Sequence, residues 1–595
     1  MHLRLPLAIA ASVAALAVGV PVVLHVAKQA PNPGVLEQPA QPLPLVTEQR
    51  RVEPRQVTQQ QPSNPPVSVA AAPALVAPHR AYDRALPLHA ERPAPRASGR
   101  VANIADARVP DIAPPPRMEQ GRDRFEQISA NPIKSVNSEP VSTVSIDVDT
   151  AAYTFARRAL NAGRLPQKDA VRAEEMINYF PYGYPLAEDR TAPFKPTVTV
   201  LPSPWNPSNK LVHIGIKGYD IALTGRPRAN LVLLIDTSGS MAPENRLPLL
   251  KNAFRMLIDT LRPEDTVGIV TYAGQAQVAL DPTKIAEKHK IIEAIDRLQA
   301  GGSTAGAAGI EQAYRIAEAG FDKTAVNRVI LATDGDFNVG ITNHAELKGF
   351  IERKRETGIY LSILGVGHDN YNDALMQALA QNGNGVAAYV DTLNEARKTL
   401  VDEASSSLFL IAKDVKIQLE FNPAQVAEYR LIGYETRLLR REDFNNDKVD
   451  AGDIGSGHAV TAIYEITPVG APKLVDDLRY ARPVAAPAAA TADAKGAEYA
   501  FLKIRYKLPN EETSRLIDLA ITRAYEKASI GEASSDVRFS IAVAAFAQLL
   551  RGEPHVKGFG YDEVIALATG AKGDDPFGYR AEFVTLARLA KGARP

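Results

Sequence analysis

Apolar positions in the middle of the chain follow two alternating patterns. Residues 231–235 form an uninterrupted apolar run, which predicts a strand buried on both faces. Further strands are predicted at residues 266–271, 277–280, 328–333, 360–366 and 387–391. Helical periodicity fills the intervals, at residues 246–261, 284–298, 307–319, 345–356, 373–381 and 394–408. Such alternation predicts an α/β domain over residues 226–410, with a mostly parallel sheet flanked by helices.

The pattern changes after residue 410. Residues 415–421 alternate strictly between apolar and polar, which predicts a half-exposed strand. Further strands are predicted at residues 429–435, 459–466 and 499–507, and helices at residues 537–550, 562–568 and 581–590. This mixture predicts a C-terminal α+β domain over residues 411–595.

A flanking region precedes the α/β domain, over residues 131–225, and order is expected to begin near Ile133. A strand at residues 144–148 is followed by a predicted helix that begins at Asp149 or Thr150 and extends through Leu160. A second helix is predicted at residues 168–179, and two more strands at residues 197–201 and 211–217.

The N-terminus suggests export. Residues 5–27 are mostly apolar and reach the ~20 residues that span a bilayer. The tripeptide at residues 15–17 also resembles a signal-peptidase site, so residues 1–28 are either a cleaved signal peptide or a signal-anchor. Residues 29–130 are rich in proline, alanine and glutamine and predict a disordered linker. We therefore expect a protein anchored in a bacterial inner membrane and facing the periplasm, or one secreted into the periplasm.

Composition removes several classes of function. Lys+Arg and Asp+Glu each number 68, so no net positive charge attracts nucleic acid. The chain has no cysteine, which excludes disulfides, thiolate metal sites and cysteine nucleophiles. Gly301-Gly302 is not followed by the Gly-Lys-Ser/Thr of a phosphate loop, so we expect no nucleotide.

Three loops at the carboxyl edge of the predicted sheet carry oxygen ligands. The first supplies Asp236, Ser238 and Ser240, the second supplies Thr304, and the third supplies Asp334. Ligands of open parallel sheets bind at this edge, and a purely oxygen-bearing set suits Mg²⁺, with Ca²⁺ or Mn²⁺ as alternatives. Because two carboxylates leave the ion electrophilic, an incoming carboxylate can complete its coordination.

The sequence from Asp236 to Ser240 resembles the D-x-S-x-S motif of von Willebrand factor type A (VWA) domains, which have a Rossmann-like fold. The resemblance implies a metal-ion-dependent adhesion site. Ser238, Ser240 and Thr304 would contact the metal, while Asp236 and Asp334 would often act through water.

A wider resemblance covers residues 130–590. Residues 153–185 are similar to the N-terminal flank of bacterial YfbK-like VWA proteins, and residues 442–447 are similar to part of that family's C-terminal domain. Proteins of this family usually carry a lipoprotein or signal segment. This chain has no lipid-accepting cysteine, so we expect the apolar N-terminus to substitute.

Other candidate residues are weaker. Asp443, Asn445 and Asp447 have EF-hand spacing, but Lys448 and Ile454 stand where that loop needs glycine and glutamate, so an Asx-rich turn is the better interpretation. Asp336 is either an additional acidic residue near the metal or a solvated loop residue. His368 has no metal-spaced companion and is interpreted as structural.

We therefore expect a metal-dependent protein-binding module of the cell envelope, and not an enzyme. Its partner would be a protein that presents an acidic side chain. The alternatives are a metal-assisted hydrolase, for which no general base is evident, and a scaffold with a vestigial metal site.

Overall fold

The computed structural model describes residues 125 and 127–593, except 147–148, 189–190, 223–224, 303–305, 336–343, 368–371, 477–496 and 557. The predicted signal or anchor at residues 1–28 and most of the predicted linker at residues 29–130 lie outside the described residues. Phe125 packs edge-on against Phe155, with ring centroids 5.0 Å apart, so contacts with the folded body begin before Ile133. Among the residues described, no helix combines the length and the apolar character that crossing a bilayer requires.

The strands run from the flanking region to the C-terminal region. In chain order they are β1 (Lys134–Ser135), β2 (Val141–Ser145), β3 (Phe194–Pro202), β4 (Lys210–Gly218), β5 (Ala229–Asp236), β6 (Thr266–Ala273), β7 (Gln275–Lys284), β8 (Val326–Thr333), β9 (Ile359–Val366), β10 (Ala387–Val390), β11 (Leu410–Phe421), β12 (Val426–Ile432), β13 (Gly452–Gly455), β14 (Ala459–Pro468), β15 (Glu498–Lys507) and β16 (Arg515–Thr522).

The helices fall between these strands and at the C-terminal end. They are α1 (Ala151–Asn161), α2 (Ala173–Asn178), α3 (Leu247–Thr260), α4 (Lys288–Arg297), α5 (Gly306–Ala319), α6 (His344–Glu356), α7 (Asp373–Asn382), α8 (Leu393–Arg397), α9 (Ala404–Leu408), α10 (Ser535–Arg551), α11 (Tyr561–Gly570) and α12 (Tyr579–Gly592). A π-helical turn, Lys398–Asp402, lies between α8 and α9.

The central sheet has the strand order β10-β9-β8-β5-β6-β7 among the described residues. Its neighbouring strands are parallel except for the β6–β7 pair. Every residue of β5 is buried, as an apolar strand covered on both faces should be. One face packs against α3, α4 and α8, and the other against α5, α6 and α7. The predicted mostly parallel sheet flanked by helices is confirmed.

The flanking and C-terminal regions build their sheets together. Strands β3 and β4 from the flank join β1, β12 and β14 in the order β1-β12-β14-β4-β3. A second sheet has the order β13-β11-β15-β16, and β2 pairs with β11. Helices α10–α12 share one apolar core with α1 and α2. Residues distant along the chain therefore form one folded body around the α/β domain.

Two local predictions were wrong. Residues 415–421 form a strand that is less exposed than predicted, because two of its three polar residues, Lys416 and Gln418, are buried and only Glu420 is exposed. Lys416 is buried, and its Nζ donates to the backbone oxygens of Asp443 and Asn446. Residues 168–179 do not form one helix, because Arg172 is extended and directs its guanidinium to Glu175 and Asp373.

The helix predicted at residues 394–408 is interrupted by the π-helical turn. Lys398, which begins this turn, is buried, and its Nζ lies 2.5 Å from Glu403 Oε1 and 4.2 Å from the ring centroid of Tyr179. A buried ammonium needs such partners, so these contacts favour the widened turn over a regular helix.

Candidate metal site

The carboxyl ends of the two central strands bring Asp236 and Asp334 to the same edge of the sheet. Asp236 is the last residue of β5, and Asp334 follows the last residue of β8, Thr333. These strands are neighbours in parallel register, with Ile235 opposite Ala332. The two carboxylates are therefore adjacent although nearly a hundred residues separate them along the chain.

The loop after β5 arranges its polar groups around Asp236. The backbone N–H of Ser238 donates to Asp236 Oδ1 at 2.8 Å, and the hydroxyl of Thr333 donates to Asp236 Oδ2 at 3.3 Å. The Oγ atoms of Ser238 and Ser240 lie 2.9 Å apart. Asp236 and Ser238 are buried, whereas Ser240 is partly exposed, so the hydroxyl pair lies between the buried carboxylate and solvent.

Asp334 combines one paired oxygen with one unpaired oxygen. Its Oδ2 accepts a hydrogen bond from Arg246 Nη1 at 2.5 Å. Its Oδ1 is buried and has no hydrogen-bond partner within the described part of the chain. A buried carboxylate oxygen without a partner is costly, so a cation beside it would stabilise the carboxylate.

Arg246 is a site residue that the sequence patterns do not predict. It precedes α3, ten residues after Asp236, and its Nη1 also donates to the backbone oxygen of Ser240 at 2.8 Å. Gly367, after β9, faces it closely, since a Cβ built on Gly367 would lie 2.3 Å from Arg246 Nε. Only the fold places this guanidinium beside Asp334, so no local motif could have indicated it.

Three residues considered from the sequence lie outside the described residues: Thr304, Asp336 and His368. The loop that leads to Thr304 is anchored to the first loop. The N–H of Gly301 donates to Thr237 O at 2.8 Å, and the N–H of Gly239 donates to Gly302 O at 3.1 Å. The described end of the second loop is thus hydrogen-bonded to the loop that carries Ser238 and Ser240.

The surroundings of Asp236 make its ionisation costly. Burial raises the pKa of Asp236, hydrogen bonds from Ser238 oppose the rise, and the nearby Asp334 carboxylate adds to it. A divalent ion would offset this cost, and the donors are carboxylate and hydroxyl oxygens suited to a hard cation. The residues present therefore fit Mg²⁺, although Arg246 already supplies one positive charge.

The residues with EF-hand spacing are held by protein contacts. Asn445 Oδ1 accepts from Arg505 Nη1 at 3.2 Å, and Asp447 Oδ1 accepts from Arg505 Nε at 3.3 Å and from the hydroxyl of Ser514. Asp443 Oδ2 accepts from the backbone N–H of Arg440 at 3.2 Å. These carboxylate and amide oxygens stabilise a turn in the C-terminal region.

Three family models match successive parts of the chain. The model described as von Willebrand factor type A domain matches residues 230–403. The model described as uncharacterized protein YfbK, C-terminal, matches residues 406–593, and one described as von Willebrand factor matches residues 119–213. The type A fold expected from the sequence is therefore confirmed for the domain that carries Asp236 and Asp334.

Individual proteins show the same relationship. The chain is 44% identical to the uncharacterized protein YfbK of Escherichia coli (strain K12) over 497 residues, which cover 82% of this chain and 84% of that protein. It is 28% identical to the uncharacterized protein sll0103 of Synechocystis over 170 residues, or 29% of this chain and 39% of that one. A solved von Willebrand factor type A structure from Catenulispora acidiphila, 16% identical, covers 68% of this chain and 92% of its own, with a TM-score of 0.38.

Proposed function

The chain belongs to the YfbK family of proteins with a VWA domain, and on that premise we propose that its site binds Mg²⁺ and, through it, an acidic side chain of a partner protein. The observation that carries the proposal is the buried Oδ1 of Asp334, which has no hydrogen-bond partner among the described residues. Ca²⁺ and Mn²⁺ are alternative ions because they take the same oxygen donors.

Each residue has a defined part in this proposal. Ser238, Ser240 and Thr304 would hold the ion through their hydroxyls, while Asp236 and Asp334 would supply the negative charge. The ion would supply an electrophilic position for the partner's carboxylate. Asp334 Oδ2 stays with Arg246, which limits the negative charge around the ion. A weakly neutralised ion attracts a carboxylate from outside, which favours binding rather than hydrolysis.

We propose a cell-envelope location on the basis of the apolar N-terminal sequence. Residues 5–27 would direct export, either as a signal peptide or as an anchor, and residues 29–130 would separate the folded body from a membrane. Protease protection in intact spheroplasts tests this directly. A chain that resists added protease until the cells are lysed would contradict export.

The binding proposal is tested by affinity capture from membrane extracts. The full-length chain should retain a partner in Mg²⁺ and release it in EDTA, and Asp236→Ala should retain little in either condition. Asp259→Ala, which removes an exposed carboxylate on α3, is the matched control and should behave like the wild type. Equal capture with and without EDTA would contradict the proposal.

A further inference from the structure

A cavity of about 310 Å³ lies near the other end of β8, away from the candidate metal site. Apolar side chains of the central sheet and α3 line one part of it, including Leu257, Ile330 and Leu364. The opposite part comes from the C-terminal region, where Asp453 on β13 lies in the wall. This volume is within the range of pockets for small organic ligands, roughly 300–1,000 Å³.

Arg328 in the wall of this cavity is buried, with 1% of its surface exposed. Its Nη1 donates to Ser362 Oγ at 2.6 Å, and its guanidinium lies 5.7 Å from the ring centroid of Tyr360. Within the described chain its Nε has no hydrogen-bond partner. No described carboxylate forms an ion pair with it.

The other buried arginines of the described chain are different, because each forms an ion pair with at least one carboxylate. They are Arg157, Arg172, Arg430, Arg437, Arg551 and Arg580. Burial lowers the pKa of Arg328 to about 10, which leaves it positively charged at neutral pH. A buried charge that forms no ion pair is costly, so a negatively charged group in the cavity would stabilise Arg328.

The remaining charges in the wall limit the kind of anion. Glu403 pairs with Lys398 at 2.5 Å, and Asp450 pairs with Arg355 at 2.7 Å, so both are already neutralised. Asp453 interacts electrostatically with Arg328 and would repel a second negative charge. The cavity therefore favours a ligand with one negative charge over a doubly charged phosphate.

The backbone around the cavity is irregular, as is common at ligand sites. The π-helical turn Lys398–Asp402 contributes Thr399 and Leu400 to the wall. Asn384, another lining residue, has a positive φ of 46°, which a non-glycine residue rarely adopts. Wide helical turns and strained backbone occur at functional sites more often than elsewhere.

We propose that this cavity binds a small monocarboxylate with a short apolar chain. The carboxylate would accept hydrogen bonds from Arg328, for which a planar guanidinium is well suited. The apolar chain would pack along Leu257, Ile330 and Leu364. Because the cavity is lined by both the central sheet and the C-terminal region, the bound anion would contact both.

Calorimetric titration of the full-length chain with octanoate tests the proposal, with octanol as the uncharged probe of equal chain length. Octanoate should bind saturably. Arg328→Met, which keeps the side-chain length but removes the charge, should lower the affinity for octanoate about tenfold or more. Arg297→Met, at an exposed position on α4, should change nothing. Binding of octanol should be weak and equal in all three chains.

Two further variants keep the test decisive if Arg328→Met does not fold. Ser362→Ala removes the hydroxyl that accepts a hydrogen bond from Arg328. It should lower the affinity for octanoate but not for octanol. Ala388→Leu adds volume at the apolar wall and should abolish binding of both probes. No saturable octanoate binding by the wild type, or equal affinity in the folded Arg328 or Ser362 variant, would overturn the proposal.

Discussion

Replacing Arg246 with methionine should destabilise the metal-free protein and strengthen its binding of Mg²⁺. The guanidinium of Arg246 is the positive charge that pairs with Asp334, at 2.5 Å. Methionine keeps most of the side-chain length but removes the charge. Asp334 would then be buried without a cation, and a divalent ion would become the way to neutralise it.

The size of both effects follows from the burial of this pair. The side chain of Asp334 is fully buried and that of Arg246 is 14% exposed. Removing one partner of a buried pair costs about 3–5 kcal/mol, and the partial exposure of Arg246 places the loss near 3 kcal/mol. Removing one positive charge beside a divalent ion is worth about 1–2 kcal/mol in a partly solvated site, which is about tenfold in Kd.

Hydrogen–deuterium exchange and calorimetry measure the two effects separately. In EDTA, amides of β5 and β8 should exchange on the order of a hundredfold faster in Arg246→Met, and Mg²⁺ should restore much of the protection. Arg255→Met, which breaks an exposed ion pair between α3 and Asp296 of α4, is the control and should leave both measurements unchanged. Unchanged exchange in EDTA together with weaker Mg²⁺ binding would refute the reasoning.

Three further substitutions have defined outcomes. Glu174→Gln should stabilise the protein at pH 8 by roughly 2–3 kcal/mol, since burial, then Glu435 and Glu175, raise the pKa of Glu174 to about 7. Arg157→Met should cost about 3–5 kcal/mol in denaturant unfolding, because several carboxylates lose their buried partner. Gly385→Ala should cost about 3 kcal/mol or more by the same measurement, because the added Cβ would lie 1.7 Å from a backbone oxygen of β9.

The stabilisation expected from Glu174→Gln depends on pH. A carboxyl whose pKa is raised on folding loses its proton first in the unfolded chain, so its contribution to stability falls between about pH 4.5 and 7. The gain from Glu174→Gln should therefore vanish near pH 4. Glu188→Gln, at an exposed position, should show no such dependence. A pH-independent difference for Glu174→Gln would contradict this explanation.

The central sheet was predictable because its strands are buried on both faces. An apolar run such as that of β5 predicts a buried strand without any knowledge of its neighbouring strands. The alternation of strands with helices then predicts parallel pairing. The proximity of Asp236 and Asp334 followed from the same reasoning, because Asp236 ends β5 and Asp334 follows the neighbouring strand β8. In this domain the burial predicted from the local sequence is the burial found in the fold.

Features that depend on distant partners were not predictable. The sequence predicts that Lys416 and Gln418 of β11 face solvent, but contacts with the turn after Arg440 bury both. Strand β16 shows no clear alternation of burial, and apolar residues such as Leu516, with 51% of its surface exposed, face solvent. Its pairing with β15 is therefore the main reason that it forms a strand. Arg246 reaches Asp334 only because α3 begins beside the end of β8.

Direct binding of Mn²⁺, measured by electron paramagnetic resonance, tests the metal site most sharply, because the free and bound ion are distinguished without any partner. The full-length chain should bind one equivalent of Mn²⁺ that Mg²⁺ displaces, and Asp236→Ala and Asp334→Ala should each abolish that binding while Asp259→Ala retains it. Saturable Mn²⁺ binding that survives loss of both Asp236 and Asp334, or no binding by the wild type, would contradict the account.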